Sequence, residues 1–386
     1  MRQDSEVPAT DARHLKQSGF GLVEILIALA LGVVIVLGIT QLFTTGSRTM
    51  SDLEETGRRI ENSVFAAEIL ADDLRMVGYW GEAATPVELQ SPLIQPGELV
   101  QESTEFQEIS AELPPHACIG TSLGSFYTTS LADTSAKPFL ELAYGMKYPI
   151  LTGPGSELNV ELGYGGTDRC KAGATPADAG SEFVALRRAS TCALGDAGCE
   201  EVNNAMFYTQ HQACDTGGLA GDFRLSDDQT ELTYETLACD PNIPAPIYKY
   251  ISRIYYVDTA DFLVRLDLTH DGTQLKYNAQ RLVAGVELMR FEWGIDEDGD
   301  GTADVRTTNP SAQEFPGGGT AEQWRNIVDA TIWLVVRSLD EVNQATTSKT
   351  TTFQIAGASY TPSDTNYARV VQTRTVEMVN VSGVRR

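Results

Sequence analysis

The sequence that decides the fold lies near the N-terminus and reads Lys16-Gln-Ser-Gly-Phe-Gly-Leu-Val-Glu-Ile-Leu-Ile-Ala-Leu-Ala30. It opens an apolar run from Phe20 to Phe43 in which Glu24 is the one charged residue. At a rise of about 1.5 Å per residue, a helix of this length crosses the roughly 30 Å hydrocarbon core of a bilayer. A carboxylate in hydrocarbon costs about 2.5–3.5 kcal/mol even on permissive scales, so Glu24 is expected to have a specific partner.

The residues on either side of the apolar run predict its orientation in a membrane. Arg13 and Lys16 precede the run and acidic residues follow it, so the positive-inside rule places the N-terminus in the cytoplasm and the rest of the chain outside it. The run is too long for a usual secretory signal, and no small-x-small cleavage pattern follows it. A plain uncleaved anchor is the other alternative, but it gives Glu24 no role.

A helical pattern continues beyond the membrane-length segment. Charged residues, Asp73 among them, lie between regularly spaced apolar positions. The sequence therefore predicts one helix from about residue 20 to 76, ended by Gly78, whose second half packs an apolar stripe on a globular head. The predicted stripe consists of Leu53, Ile60, Val64, Ala67, Ala71, Leu74 and Val77.

Composition and charge exclude some classes of protein. The chain has 386 residues, of which 42% are hydrophobic and 21% charged, as is typical of globular rather than disordered proteins. Its formal net charge is −25 and its pI is about 4.5. A strongly negative field repels phosphate backbones, so the folded head is not expected to bind nucleic acid.

Six cysteines follow the apolar segment, and their even number predicts three disulfides in an oxidising compartment. Proximity favours Cys192 with Cys199 and Cys214 with Cys239, although six cysteines allow fifteen pairings. Zinc binding is the alternative, because His116 lies close to Cys118 and His211 close to Cys214, but no Cys-x-x-Cys pair is present. The six candidates are Cys118, Cys170, Cys192, Cys199, Cys214 and Cys239.

The remainder of the chain divides into two regions. Residues 79–245 are rich in Gly, Pro, Ser and Thr, which is typical of short strands and long loops. Residues 246–386 contain runs rich in β-branched and aromatic residues, which predict a largely antiparallel sheet. The fold class is therefore α+β, with a long N-terminal helix packed on a disulfide-containing β head. The predicted strands are 247–257, 262–268, 282–293, 327–337 and 368–381.

An acidic loop between two predicted strands has the spacing of a calcium-binding loop. It reads Asp296-Glu-Asp-Gly-Asp-Gly-Thr-Ala-Asp304. Oxygen ligands at relative positions 1, 3, 5, 7 and 9, with glycine at position 6, are those that Ca²⁺ requires in such loops. The predicted ligands are Asp296, Asp298, Asp300, Asp304 and the carbonyl of Thr302. Thr307 stands where an EF-hand has its bidentate Glu, so a further ligand is needed, and an acidic turn without an ion is the alternative.

The sequence contains no recognisable catalytic constellation. It has neither a Gly-x-Ser-x-Gly elbow nor a phosphate-binding Gly-x-x-x-x-Gly-Lys loop, and its histidines are not part of a nucleophile motif. We therefore expect a protein that is not an enzyme, without catalytic residues.

The segment Gly19-Phe20-Gly-Leu-Val-Glu24, preceded by basic residues, resembles the class III signal of type IV prepilins and pseudopilins. The resemblance implies that residues 1–19 are a cytoplasmic leader, removed after Gly19 by a prepilin peptidase that also N-methylates Phe20. It further implies that residues 20–43 are the transmembrane half of the helix and 44–78 its soluble half. Glu24 would pair with an N-terminal amine during filament assembly, which supplies the partner that a buried carboxylate requires.

Motifs at the two ends of the remaining chain are similar to those of PilW-type minor pilins. They are Asp73-Leu-Arg-Met-Val-Gly-Tyr-Trp-Gly81, the segments 282–288 and 293–301, Ile332-Trp-Leu-Val-Val-Arg-Ser338 and the start of the last strand at Tyr367. This resemblance implies a minor pilin that primes or supports type IV pilus assembly near the pilus tip. Its partners would be other minor pilins, the major pilin and the inner membrane, with the head periplasmic and later extracellular in the pilus. The alternatives are a minor pseudopilin of type II secretion and an adhesive subunit of the pilus tip, or a subunit that holds a tip adhesin.

Overall fold

The computed structural model describes residues 21–81, 116–119, 145–146, 148–166, 168–199, 203, 206–214, 223–226, 229–270, 275–310, 324, 326–341 and 351–382. The predicted leader, the cleavage site at Gly19 and Phe20, and much of the loop-rich region lie outside these residues. The chain divides into two compact units, Met1–Glu54 and Glu55–Arg386. The structure is α+β, since a long N-terminal helix is followed by an antiparallel β head with three disulfides.

The described elements include three α-helices and thirteen strands. The helices are α1 (Leu22–Met76), α2 (Gly155–Glu161) and α3 (Val379–Ser382). The strands are β1 (Ile150–Pro154), β2 (Glu182–Ala193), β3 (Tyr208–His211), β4 (Phe223–Ser226), β5 (Ile247–Val257), β6 (Phe262–His270), β7 (Leu275–Ala284), β8 (Val286–Ile295), β9 (Val305–Thr307), β10 (Ile327–Arg337), β11 (Phe353–Ile355), β12 (Ala358–Tyr360) and β13 (Arg369–Glu377).

Helix α1 contributes to both units and ends as the sequence predicts. The helix ends at Met76. Gly78 follows it with a φ of +70°, a conformation that favours glycine after a helix. Within the second unit its buried positions are Glu55, Ser63, Ala66, Ala67, Leu70, Ala71, Asp73 and Leu74. Four of these eight residues are serine or alanine, so small side chains make up half of the buried positions.

The predicted apolar stripe of this helix is wrong in its first half. Ile60 and Val64 are 49% and 43% exposed, and Leu53 is 63% exposed, whereas Ala67, Ala71 and Leu74 are buried. The prediction gave weight to large apolar side chains. The buried face instead includes the small residues Ser63 and Ala66, whose contribution to hydrophobic periodicity is weak.

Two antiparallel sheets form the second unit. The larger has seven strands in the order β1-β2-β5-β3-β4, with β6 also paired to β5 and β7 to β6. It therefore combines strands from before and after residue 245. The smaller has the order β13-β10-β8-β9, and β11 and β12 form a separate hairpin.

One predicted strand, 282–293, is wrong, because the structure divides it at Gly285. Strand β7 ends at Ala284 and pairs with β6, whereas β8 begins at Val286 and pairs with β10 in the other sheet. Gly285 has a φ of +84°, and a Cβ atom there would lie 2.7 Å from the carbonyl oxygen of Arg337. The chain changes sheets at this glycine because other residues are strained in that conformation.

The start of β2 joins the two sheets through side chains that bind the edge of β8. The Oγ of Ser181 accepts a hydrogen bond from the backbone N–H of Met289 at 2.8 Å. Glu182 accepts one from the backbone N–H of Phe291, also at 2.8 Å. The core between the sheets includes Phe291 and Trp293, whose rings stack with centroids 5.0 Å apart.

Candidate functional sites

The first candidate site is the N-terminal apolar segment. Helix α1 is long and apolar enough to cross a membrane, judged by its length and composition. Glu24 lies in its first turn, where the helix dipole favours a negative charge. The large apolar side chains from Leu22 to Phe43 are exposed. The segment is therefore suited to membrane anchoring, while Gly19 and Phe20 lie outside the described residues.

The second candidate site is the acidic loop, which the structure places at the tip of a hairpin. Strand β8 ends at Ile295, and the short strand β9, which the sequence did not predict, pairs back onto it from Val305. The backbone N–H of Asp304 donates to the carbonyl of Ile295 at 2.8 Å and closes the loop. Gly299 and Gly301, with φ of +82° and +85°, provide the tight turns within it.

Three of the predicted ligands lie together in this loop. Each of Asp296, Asp298 and Asp304 offers a carboxylate oxygen, and these oxygens lie within 4.8 Å of one another. Asp296 is fully buried, whereas Asp298 and Asp304 are exposed. Asp300 is not part of this group. Its carboxylate accepts a hydrogen bond from the N–H of Thr302 at 2.7 Å. Three converging carboxylates could hold a hard divalent cation.

Backbone groups orient the carboxylates of the loop. Asp296 accepts from the N–H groups of Gly299 at 2.6 Å and Gly301 at 3.0 Å. Asp304 accepts from the N–H of Glu297 at 2.8 Å. Among the ion pairs between described residues, none includes Asp298 or Asp304. The loop therefore concentrates negative charge that backbone dipoles offset only in part.

The cysteines pair in three disulfides. Cys192 is bonded to Cys199 and Cys214 to Cys239, the two pairs that proximity favoured, and Cys118 is bonded to Cys170. None of the six is free. Zinc binding by cysteine is therefore wrong for this structure, because a thiolate is needed for that bond.

A third cluster, around Asp73 of helix α1, was not predicted as a site. Asp73 accepts hydrogen bonds from Arg188 of β2 at 3.1 Å, from Arg253 of β5 at 2.8 Å and from the hydroxyl of Tyr255. Arg253 also donates to Asp267 of β6 at 2.9 Å. The side chain of Asp73 is only 9% exposed. This cluster ties the helix to three strands of the larger sheet.

The charges in this cluster compensate one another. Burial alone would raise the pKa of Asp73, but the guanidinium of Arg253 and the hydroxyl of Tyr255 hold the pKa below its usual value. Periodicity could not reveal this role, because on the helix Asp73 resembles its exposed neighbour Asp72. The signal that the sequence offers is the presence of arginines, Arg188 and Arg253, within two strands that are largely buried.

Comparisons with known proteins identify two regions of the chain. Residues 254–380 match the family described as type IV pilus-assembly protein W. Residues 14–40 match the prokaryotic N-terminal methylation motif, which includes Gly19, Phe20 and Glu24. A search of curated proteins found no match.

Among solved structures, a type IV-like pilin from Thermus thermophilus is similar to this chain. It shares 13% sequence identity with a TM-score of 0.23, and the similarity covers 54% of this chain and 82% of that one.

Proposed function

We propose that this chain is a type IV pilin-like protein and, more specifically, a minor pilin that primes or supports pilus assembly. The observation that carries the proposal is the presence in one chain of the methylation motif at 14–40 and the PilW match at 254–380. On this proposal a prepilin peptidase cleaves after Gly19 and methylates Phe20, and the subunit enters the filament near its tip. Its role is structural rather than catalytic.

The apolar helix supplies the assembly mechanism. Before assembly, residues 20–43 anchor the subunit in the inner membrane with the head in the periplasm. In the filament, the carboxylate of Glu24 pairs with an N-terminal amine, either its own or that of a neighbouring major or minor pilin. Pairing two opposite charges in a low dielectric offsets the desolvation cost of each, so the pair favours the correctly placed subunit.

This proposal is tested by complementing a strain that lacks the gene with the wild-type chain or with Glu24→Val. We expect wild-type protein to restore surface pili and to be present in sheared filaments. Glu24→Val should remain in the membrane and restore few pili. Glu54→Val, which removes an exposed acidic residue of the same helix, is the matched control and should behave as wild type. Normal piliation of the deletion strain together with loss of protein secretion would instead indicate a type II pseudopilin.

We also propose that the acidic loop binds Ca²⁺ and thereby stabilises the hairpin between β8 and β9. The convergence of Asp296, Asp298 and Asp304 supports this proposal, as does the spacing of oxygen ligands along the loop. Bringing several carboxylates together without a cation costs free energy through like-charge repulsion. A bound Ca²⁺ removes that cost.

Calorimetric titration of the purified chain with Ca²⁺ tests the loop. We expect a saturable binding heat for the wild type that Asp298→Asn abolishes. Glu297→Gln changes the neighbouring exposed carboxylate by the same chemistry and should retain binding. Absence of a calcium-dependent heat in the wild type would contradict the site, whereas loss of binding in both variants would indicate a diffuse effect of charge.

A further inference from the structure

Strand β13 lies at the edge of the smaller sheet. It pairs with β10 from Arg369 to Glu377 with no shift of register. Within the described parts of the chain, no strand pairs with its other edge. Such an edge is a template for another strand.

The hydrogen bonds at the two ends of β13 show which residues face outward. Ser338 donates its N–H to the carbonyl of Ala368, and Met378 donates its N–H to the carbonyl of Val328, each at 2.8 Å. Because backbone groups alternate in direction along a strand, the even-numbered residues of β13 bond to β10. The odd-numbered residues, Thr373 among them, therefore direct their N–H and C=O groups toward the free edge.

The other described sheet edges have features that limit strand addition. Strand β1 ends at Pro154, and β4 and β9 have only four and three residues. Strand β7 has an irregular register with β6, and its Tyr277 N–H donates to the carbonyl of Cys170. Strand β13 has nine residues and no proline or bulge, and Thr373 and Thr375 are exposed. Apart from the charged side chains of Arg369, Arg374 and Glu377, it lacks the usual protection of an edge strand.

We propose that β13 pairs antiparallel with β13 of a second copy of this chain, about a two-fold axis at Thr373. In this register all nine residues of each strand are paired. The odd-numbered residues, whose N–H and C=O groups point to the free edge, lie opposite odd-numbered residues of the second copy. The opposite pairs are Arg369 with Glu377, Val370 with Val376, Val371 with Thr375, Gln372 with Arg374, and Thr373 with itself. Each is a β-branched, polar or oppositely charged pair of the kind that stabilises sheets, and no two like charges are directly opposite.

The charged and polar pairs lie on both faces of the sheet, with Arg369 and Glu377 on one face and Gln372 and Arg374 on the other. Arg369 already forms a two-point ion pair with Glu287. In the proposed dimer, Glu377 of the second copy would lie opposite this Arg369–Glu287 pair. Arg374 lies 3.6 Å from Glu68 and is 28% exposed, which leaves it accessible to Gln372 across the interface. Phe65 lies one helical turn before Glu68 and is 56% exposed, so it provides apolar surface next to Glu68 on the helix.

The pairing has a distinctive dependence on salt and concentration. Each copy has a net charge of −25, so two heads repel, and screening by salt should strengthen the association. Pairing of single strands buries little surface, and a shared membrane raises the local concentration that a weak contact needs. The pairing does not depend on the proposed pilus function.

Cysteine cross-linking of the full chain in detergent micelles tests this register. Opposite residues of a hydrogen-bonded pair have Cα atoms about 5.5 Å apart, within the range that a disulfide spans. We expect Thr373→Cys to form a covalent dimer under mild oxidation. Thr375→Cys should form one only when Val371→Cys is also present, and Ser359→Cys, exposed on β12, should remain monomeric.

A second measurement uses proline to block the edge. Thr373 faces outward, so Thr373→Pro removes an N–H that β10 does not use. We expect it to retain the melting temperature and to lose the dimer in sedimentation at high salt, whereas Thr373→Ala retains the dimer. Cross-linking of Ser359→Cys as efficiently as Thr373→Cys would overturn the proposal. A wild-type chain that stays monomeric in sedimentation and gives no Thr373→Cys dimer would also overturn it.

Discussion

Asp73 and the Asp296–Asp304 loop both place carboxylates where water does not fully solvate them, but they are compensated in different ways. Asp73 is held by two arginines and a tyrosine from two strands of the larger sheet. The carboxylates of the loop accept hydrogen bonds from backbone N–H groups of their own hairpin. The first cluster is complete within the chain, whereas the second is suited to an added cation.

Glu182 is a third acidic residue, and its charge is offset in a way that differs from both Asp73 and the acidic loop. Its carboxyl accepts the N–H of Phe291 at the joint between the sheets, and burial raises its pKa to about 7. No ion pair between described residues includes Glu182, and near neutral pH a proton performs the role that arginine has at Asp73. Three buried acids thus differ in what offsets their charge: an arginine, a proton and, as proposed, Ca²⁺.

The largest expected effect is the loss of the carboxylate at Asp73. Asp73→Ala leaves Arg188 and Arg253 without their shared anion and should lower the free energy of unfolding by about 3–5 kcal/mol. Chemical denaturation of the purified chain measures this change. Asp72→Ala is the matched control, because Asp72 is 65% exposed and pairs only with Arg75 on the surface. If the two substitutions lowered the free energy of unfolding equally, the buried Asp73 cluster would be no more important for stability than the surface charge of Asp72.

The second prediction concerns the dependence of stability on pH through Glu182. Its folded-state pKa lies above its unfolded value of 4.5, so the folded state binds more protons between these values. The free energy of unfolding should therefore fall as pH rises from about 4.5 to 7, by up to about 3 kcal/mol. The pH dependence that Asp73 contributes has the opposite sign. Because its pKa is lowered in the folded state, the stabilisation by its ionised carboxylate is lost as pH falls below about 4.

Glu182→Gln separates the two carboxylates. It keeps an acceptor for the N–H of Phe291 but cannot ionise, so the fall in stability between pH 4.5 and 7 should become smaller than in the wild type. Glu68→Gln, on the exposed side of the helix, should leave the pH profile unchanged. An unaltered profile in Glu182→Gln would assign the titration to another group.

The third prediction concerns removal of calcium. At a Ca²⁺ concentration 100 times the dissociation constant, binding should stabilise the folded chain by about 2.7 kcal/mol. Adding a chelator should therefore lower the melting temperature of the wild type and leave Asp298→Asn unaffected. A chelator effect that persists in Asp298→Asn would place the cation elsewhere.

The smallest expected effect concerns Glu55, which lies on helix α1 and is 8% exposed. Its carboxylate accepts the N–H of Leu339 at 3.0 Å and pairs with Arg58 at 2.9 Å. Because Arg58 is half exposed, Glu55→Ala should cost only about 1–2 kcal/mol in denaturation experiments, chiefly from the lost Leu339 hydrogen bond. A loss as large as that of Asp73→Ala would show that the degree of compensation does not determine the cost.

Much of the fold could be predicted from local patterns in the sequence. Strands 247–257 and 327–337 have the predicted bounds, because long runs of β-branched and aromatic residues are unambiguous. The division at Gly285 was missed, since apolar residues continue through it and the required positive φ is a property of the backbone. Strand β9 was missed because three residues carry no periodicity.

The sites could be predicted where their residues are close together in the chain. The acidic loop is contained in nine consecutive positions, so its spacing alone suggested a cation. Asp73 and Arg253 are 180 positions apart, and no local pattern connects them. The buried residues Ser63 and Ala66 of helix α1 were likewise missed, because their burial is defined by tertiary packing.

The central claim is that the N-terminal segment is processed as a prepilin, and mass spectrometry of the N-terminal peptide from the native host tests it most directly. Prepilin processing predicts a mature chain that begins at N-methylated Phe20, with Glu24 as its fifth residue. A chain that retains Met1 and an unmodified Phe20 would contradict it, because Glu24 would then have no processed amine as its partner.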